Sequence, residues 1–190
     1  MLEAADRVFA RRGYQAASMD EIAAEVGVTK PMLYAYFGSK EGLYLACVQR
    51  AGEMLAQRLR DVVEGGPAER LEAGVRAFFA FVDERRSGWT VLYREASAGG
   101  GAVAERIVSL RGAVAATVSQ LVAEMAGSSP KSALEPEPIA HALVGAGESL
   151  ANWWLDHPEE PIELMSARLM SFAWLGLERL AQGERLAPRA

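Results

Sequence analysis

Apolar residues recur every three or four positions along almost all of the 190-residue chain. The segment after residue 70 shows this clearly, with Leu71, Val75, Phe78, Phe79 and Val82 in register. This spacing places the five side chains on one face of an α-helix. No segment alternates convincingly with the period of two that a half-buried strand requires. The pattern therefore predicts an all-α protein.

Capping residues and glycines divide this pattern into separate helices. Ser18 with Glu21 three residues later predicts a capping box at a helix start, and Gly27 predicts the end of that helix. Ser87-Gly88 predicts an interruption, and Gly99 to Gly101 predicts a flexible break. The predicted helices cover about residues 2–12, 18–26, 29–37, 40–63, 71–86, 89–98, 103–125, 139–157 and 161–180.

Composition excludes several classes of function. With one cysteine, Cys47, and two histidines, the chain has neither an intramolecular disulfide nor a closed Cys/His zinc site. No Ser/His/Asp or Cys/His set is identifiable, so we expect no catalytic residues, no metal and no cofactor. The longest uncharged stretch, Gly112 to Ala123, is too short to cross a bilayer, so we expect a cytoplasmic protein without a membrane partner.

The net charge of −5 excludes DNA binding through bulk positive charge, but it allows a local DNA-reading element. Residues 18–37 have the organisation of a helix-turn-helix, two short helices joined by a glycine turn. No carboxylate occurs from Gly27 to Lys40, where hydroxyls and two lysines are available. A recognition helix in the major groove needs such donors. The alternative is a pair of ordinary bundle helices with a solvated polar face.

The sequence SMDEIAAEVGVTKPMLYAYFGSKEGL, residues 18–43, closely resembles the N-terminal signature of the tetracycline-repressor (TetR) family. The resemblance implies a helix-turn-helix DNA-binding domain at 1–45 and a helical effector-binding and dimerisation domain at 46–190, linked by a helix from about 40 to 63. It implies a dimer, usually a repressor, that leaves a palindromic operator when a small molecule binds.

The resemblance also assigns DNA-contacting positions. A residue like Ser18 holds a phosphate, residues like Tyr34 and Tyr36 touch bases or phosphates, and a residue like Lys40 holds a phosphate. The complete candidate set is Ser18, Thr29, Lys30, Pro31, Met32, Tyr34, Tyr36 and Lys40. Two features depart from the family pattern: Met1 lies almost inside the first helix, where many members carry a preceding basic arm, and Pro31 stands where glycine is common. Either that arm lies outside the sequence given, or the phosphate contacts are fewer.

Aromatic residues concentrate beyond residue 77 and predict a mostly apolar effector pocket with a few polar groups. Trp89 and Tyr93 lie between two glycine breaks and could form a gate. His141, Glu148 and Asn152 share one helical face, which either turns inward toward a ligand or is solvated. The candidate ligand-binding residues are Phe78, Phe81, Trp89, Tyr93, Met125, His141, Glu148 and Asn152. The alternative for the aromatic residues is a simple core.

The segment from Leu169 to Leu177 contains no charge. A helix that is apolar all round must be covered on both sides, which predicts a homodimer through the helices at about 138–157 and 161–180. A helix central to one monomer is the alternative. Three functions remain at this stage: a ligand-responsive transcription factor, a small-molecule carrier with a vestigial helix-turn-helix, and an enzyme on a helical scaffold. The last of these lacks a paired acid and base.

Overall fold

A computed structural model describes residues 1–62, 64–93, 101–127 and 132–184. All regular secondary structure in these ranges is helical, which confirms the all-α prediction. The helices are α1 (Leu2–Ala16), α2 (Met19–Val26), α3 (Lys30–Phe37), α4 (Lys40–Arg60), α5 (Pro67–Glu84), α6 (Arg86–Tyr93), α7 (Gly101–Gly127), α8 (Pro136–Leu155) and α9 (Ile162–Ala181).

One predicted boundary is wrong. Helices α5 and α6 separate at Arg85, and Ser87-Gly88 lies inside α6. Gly88 is buried, and a Cβ built there would lie 3.8 Å from the Ala51 Cβ and 3.8 Å from Asp6 Oδ2. These are ordinary van der Waals distances, so the position has room for a Cβ, and the glycine lies within the helix and does not end it. Of the second predicted break, Gly99 and Gly100 lie outside the described residues, and Gly101 begins α7.

The first of two compact units contains residues 1–57 and 82–110. Its core includes Phe9 of α1, Leu33 of α3 and Tyr44 of α4, all fully buried. The rings of Phe9 and Tyr44 meet edge to face with centroids 5.0 Å apart. The Tyr44 hydroxyl donates a 2.7 Å hydrogen bond to the Val91 carbonyl, which satisfies the polar end of this core ring. The helix-turn-helix segment and α6 therefore belong to the same packed unit.

The second unit contains residues 58–81 and 111–190. Its core brings together side chains from four stretches of chain, because α5, α7, the segment before α8 and α9 each contribute. The buried members of this cluster are Leu71, Val122, Leu134, Ala173 and Leu177.

Helix α7 is the one helix in the described ranges that is long and apolar enough to cross a membrane, which the longest uncharged stretch did not reveal. Length and composition alone are weak evidence for a span, since core helices of soluble proteins satisfy the same criteria. Arg106 of α7 forms an ion pair with Glu53 in the first unit, and Arg111 forms one with Glu148 in the second. These pairs fit a helix packed within a folded protein.

Helix α9 is apolar on two sides, as its uncharged sequence indicates. One side is buried and carries Met165, Leu169 and Ala173. The other side carries Phe172, which is 77% exposed, and Leu175, which is 67% exposed. The described residues of the chain therefore cover only one side of α9.

Candidate nucleic-acid interface

Ser18 positions the first helix of the candidate helix-turn-helix. Its backbone is extended, and its Oγ accepts a 3.1 Å hydrogen bond from the Glu21 backbone N–H. The predicted capping box is half formed, because the Glu21 carboxylate accepts hydrogen bonds from Arg12 and Arg11 at 3.0 and 3.3 Å. The Arg12 hydrogen bond is the main cause of a lowered pKa for Glu21. The side chain of Ser18 is exposed at the N-terminus of α2, where an anion is favoured.

Gly27 makes the turn between α2 and α3. It adopts φ 78° and ψ 31°, the left-handed conformation that glycine accepts without steric cost. Its N–H donates to the Ala23 carbonyl at 2.9 Å and closes α2. Thr29 then occupies the N-cap of α3 without a side-chain capping bond, and Pro31 lies in the first turn. The exposed Thr29 hydroxyl is therefore not used to cap α3.

Helix α3 has one buried side chain and a broad exposed face. Leu33 is fully buried and anchors the helix to the unit. Met32 is 40% exposed, Tyr34 is 43% exposed and Tyr36 is 65% exposed. Two tyrosines of this eight-residue helix therefore present aromatic surface and hydroxyls to solvent. The face offers hydroxyls and apolar surface and no carboxylate.

Every lysine and arginine among residues 1–47 has a polar partner within the unit. Lys30 Nζ lies 2.8 Å from Asp20 Oδ2, and this contact raises the pKa of Lys30. The arginines of α1 pair with acids of α2: Arg7 with Glu25, Arg11 with Glu21 and Glu25, and Arg12 with Glu21. Any contact of these cations with DNA therefore takes place beside a carboxylate that already offsets part of their charge.

Lys40 also has partners, but they are backbone carbonyls. Its Nζ donates to the carbonyl oxygens of Tyr14, Gln15 and Ala17 at 2.8, 3.1 and 3.0 Å. The ammonium also lies 4.7 Å from the centre of the Tyr14 ring. The phosphate contact expected of Lys40 stays a prediction.

Sequence reasoning missed a buried acid beneath the helix-turn-helix. Asp6 is 3% exposed, and its Oδ2 accepts a 2.5 Å hydrogen bond from Arg50. Burial raises the pKa of Asp6, although the Arg50 hydrogen bond opposes that shift. The adjacent Cys47 is also buried, and burial is the main reason that the pKa of its thiol is raised. Cys47 is therefore not a reactive thiolate. Residues 44 positions apart give no local signal of such a pair.

The candidate effector residues divide between the two units. Trp89 and Tyr93 belong to the first unit, where their rings stack with centroids 4.9 Å apart. Trp89 is buried, and residues 94–100 of the predicted gate lie outside the described residues. The other candidates belong to the second unit: Phe78, Phe81, Met125, His141, Glu148 and Asn152. Phe81 is buried, and Met125 packs against the core cluster.

The polar face of α8 turns neither wholly inward nor wholly outward. His141 is exposed, Asn152 is half-buried and Glu148 is buried. Arg111 donates two hydrogen bonds to the Glu148 carboxylate, from Nε at 3.0 Å and from Nη2 at 2.9 Å. Glu148 is thus bound by a guanidinium, and a ligand that used this carboxylate would have to share it.

A groove of about 370 Å³ runs between α5 and α9 in the second unit. None of the candidate effector residues lines it. Its lining residues are Glu72, Arg76, Ile162, Glu163, Ser166, Ala167 and Met170. Among the described residues, no group of three His, Cys, Asp or Glu side chains is arranged to hold a metal ion.

Comparison with known proteins adds independent evidence. Residues 1–47 match the family model described as bacterial regulatory proteins, tetR family, and residues 67–176 match the tetracyclin repressor-like C-terminal domain. The chain is 35% identical over 184 residues to the HTH-type transcriptional activator FasR of Mycolicibacterium smegmatis, covering 95% of this chain and 82% of that protein.

Solved structures show the same architecture. A TetR-like transcriptional regulator from Rhodococcus sp. RHA1 superposes with a TM-score of 0.79 and 36% identity over 93% of both chains. FadR from Bacillus subtilis, solved in complex with stearoyl-CoA, shares the fold at a TM-score of 0.76 and 18% identity over 97% of both chains. These matches extend from the helix-turn-helix through the helical second half. The chain belongs to the TetR family of DNA-binding transcriptional regulators and is not an enzyme.

Proposed function

We propose that residues 1–45 read a palindromic operator through α2 and α3, and that residues 46–190 bind an effector and dimerise. The supporting observation is the exposed face of α3, which presents Tyr34 and Tyr36 without any carboxylate. The proposed contact residues are Ser18, Thr29, Lys30, Pro31, Met32, Tyr34, Tyr36 and Lys40. Hydroxyls can donate to or accept from phosphates and base edges, and Met32 supplies apolar contact.

The proposed homodimer forms through α8 and α9. Its support is the uncovered apolar side of α9, where Phe172 and Leu175 are exposed. A twofold axis makes the same patch face itself, so every contact occurs twice. It also repeats the recognition helix at a spacing of about 34–36 Å, which is one turn of DNA. The regulator acts in the cytoplasm, where operator DNA is found.

The proposed effector is a small hydrophobic molecule with an acyl chain or an aromatic ring. Its support is the aromatic content of the chain beyond residue 77. FadR from Bacillus subtilis shares only its fold with this chain, so its complex with stearoyl-CoA suggests a compound to test and is not used as evidence for the effector. The resemblance to the tetracycline repressor predicts repression, whereas FasR is named an activator. A reporter gene fused to the operator reads the direction of regulation directly.

Selection from a random DNA library tests the function. The expected result is an enriched palindrome, whose affinity is then measured against unrelated DNA over a range of salt concentrations. Tyr34→Ala should lose roughly 1–3 kcal/mol of binding to the palindrome if Tyr34 makes a base contact. Val108→Ala, on exposed surface of α7, is the control and should bind as wild type.

The same operator then tests the effector. Stearoyl-CoA and shorter acyl-CoAs are added to the protein–operator complex, and DNA release is followed by fluorescence anisotropy. Release that depends on chain length supports the acyl-chain effector, because each buried methylene adds about 0.8 kcal/mol of binding. No enrichment of any palindrome contradicts the DNA-reading role, whereas operator binding that no acyl-CoA alters contradicts only the effector.

A further inference from the structure

An exposed ion pair joins the two helices of the helix-turn-helix. Asp20 lies in the first turn of α2, and Lys30 is the first residue of α3. The Lys30 Nζ lies 2.8 Å from Asp20 Oδ2, and the side chains of Lys30 and Asp20 are 44% and 70% exposed. Exposed ion pairs contribute little to stability, so stability alone is a weak reason for this contact. The Asp20–Lys30 pair presents a donor and an acceptor side by side to solvent.

The Asp20–Lys30 pair lies on the same side of the motif as an exposed tyrosine. Lys30 and Tyr34 are four residues apart on α3, so their side chains share one face of that helix. The Asp20 carboxylate is the main cause of the raised pKa of Lys30, and the nearby Tyr34 hydroxyl also contributes. A helix that turns Tyr34 toward a DNA groove therefore turns Lys30 toward it too, with Asp20 alongside.

The hydrogen-bonding groups of the Asp20–Lys30 pair match the major-groove edge of a G·C base pair. The ammonium has three N–H donors, of which Asp20 takes one, and the carboxylate has further lone pairs. Guanine presents two neighbouring acceptors, N7 and O6, and its cytosine presents the N4 amino group as a donor. Because O6 and N4 are hydrogen-bonded to each other, they lie about 2.9 Å apart, close to the separation of Nζ and Oδ2.

An A·T base pair and a phosphate fit the same groups less well. In A·T the N6 donor lies between the N7 and O4 acceptors, so the two remaining ammonium donors find no neighbouring acceptors. The thymine methyl group also lies beside O4. A phosphate offers acceptors only, and its charge would face the Asp20 carboxylate. Two donors beside an acceptor therefore select G·C.

We propose that the Asp20–Lys30 pair recognises one G·C base pair in each half of the operator. Lys30 donates to N7 and O6 of the guanine, and Asp20 accepts from N4 of the cytosine. The proposal rests on the proposed function and adds a carboxylate of α2 to the residues that determine sequence preference. Lys30 offsets the charge of that carboxylate, which phosphates would otherwise repel, and base contacts of this kind specify sequence.

Single-atom changes in the operator test each contact separately. The operator comes from the selection described above, and each of its G·C pairs is modified in turn. 7-Deazaguanine replaces the N7 acceptor with a C–H group, and N4-methylcytosine replaces the groove-facing N4 hydrogen with a methyl group. Both modified bases retain Watson–Crick pairing. Affinity for each DNA is measured by fluorescence anisotropy with wild type, Asp20→Ala and Lys30→Met.

Glu25→Ala is the matched control protein. Glu25 is also a carboxylate of α2 and pairs with Arg7 at 3.2 Å, but it lies at the other end of the helix. Its removal changes the net charge as Asp20→Ala does. Glu25→Ala should therefore respond to both modified bases as wild type does, whatever its affinity for unmodified DNA.

The expected result is confined to one G·C pair in each half-site. There each modified base should weaken wild-type binding by about fivefold or more, the low end for one mismatched base pair. Asp20→Ala should lose the response to N4-methylcytosine and keep the response to 7-deazaguanine. Lys30→Met should show the reverse. A role of the Asp20–Lys30 pair in stability alone would lower Tm and leave both responses unchanged.

Three results would overturn the proposal. One is a wild-type protein for which no G·C pair of the operator is sensitive to both modified bases, and this result requires no variant to fold. A second is a pair of variants that respond to both bases as wild type does. A third is a salt slope lower by about 0.9 in Lys30→Met with the 7-deazaguanine response retained, which identifies a phosphate contact. These results leave the proposed function intact, whereas selection that enriches no operator refutes the proposed function itself.

Discussion

Truncation of Phe172 tests the proposed dimer at the most exposed large apolar side chain of α9. Phe172 lies on the side of α9 that the described residues leave uncovered, and 77% of it is exposed. The opposite side of the helix is held by Met165, Leu169 and Ala173 in the interior. Phe172→Ala therefore removes apolar surface from the outer side without opening a cavity in the core.

The expected magnitude follows from the exposed area. A phenylalanine side chain buries roughly 200 Å² at an interface, and an exposed fraction of 77% leaves most of that for a partner. At about 25 cal/mol per Å², its burial contributes about 4 kcal/mol per copy. Alanine keeps the β-carbon, so truncation loses about 2–3 kcal/mol per copy, and twofold symmetry doubles this to about 5 kcal/mol. The dimer dissociation constant should rise by roughly a thousandfold or more.

Sedimentation equilibrium over nanomolar to micromolar concentrations measures this constant directly. Val108→Ala is the control, because Val108 has comparable exposure, 68%, but lies on α7. We expect wild type and Val108→Ala to remain dimeric where Phe172→Ala shows the monomer mass of 20.5 kDa. Equal dissociation constants for Phe172→Ala and wild type would contradict the proposed interface. So would a wild-type protein that is monomeric at micromolar concentration.

Three further predictions concern stability. Ser18→Ala removes the acceptor for the Glu21 N–H and should lower the unfolding free energy by about 1 kcal/mol in urea titrations, with Ser18→Asp as the rescuing control; an unchanged midpoint would show that the cap is dispensable. Burial raises the pKa of Asp6 in the folded protein above 3.8, so the unfolding free energy of wild type should decrease as pH rises from about 3.8 through the raised value. Asp6→Asn should show a smaller decrease over the same pH range, and parallel pH profiles of the two proteins would contradict this. Glu148→Gln should cost about 1–3 kcal/mol by weakening the two Arg111 hydrogen bonds, and equal denaturation midpoints would rule this out.

The helices were predictable from sequence because their signals are local. The Ser18 cap, the Gly27 turn and the 3.6-residue stripe each depend on residues within one or two turns of each other. Gly88 shows where local reasoning fails. A glycine after a long apolar stripe is typical of a break, yet Gly88 lies inside α6, where an added Cβ would meet Ala51 and Asp6 only at ordinary van der Waals distance. Local propensity is a weak guide at a single glycine, because tertiary context decides whether the helix continues through it.

The exposed face of α3 was also predictable, since Leu33 is buried while Tyr34 and Tyr36 are exposed. The partners of the charged residues were not. Lys40 bonds to carbonyls 23 to 26 positions away, and Glu148 pairs with Arg111 37 positions away. Sequence spacing identifies a side chain that can bind phosphate or ligand. It does not show whether that side chain already forms hydrogen bonds or ion pairs with other groups of the protein.

Charge pairing inside the helix-turn-helix changes how this acidic protein would hold DNA. The acids of α2 neutralise the arginines of α1, and Asp20 neutralises Lys30. Lys30 and the α1 arginines have more N–H donors than their paired acids accept, so they can still contact a phosphate, but the neighbouring carboxylates offset part of the attraction. Non-specific attraction to DNA is then weak, and the neutral groups on α3 carry a larger share of operator binding. We therefore predict that Tyr34→Ala and Tyr36→Ala reduce the preference for operator over unrelated DNA more than Lys30→Met does.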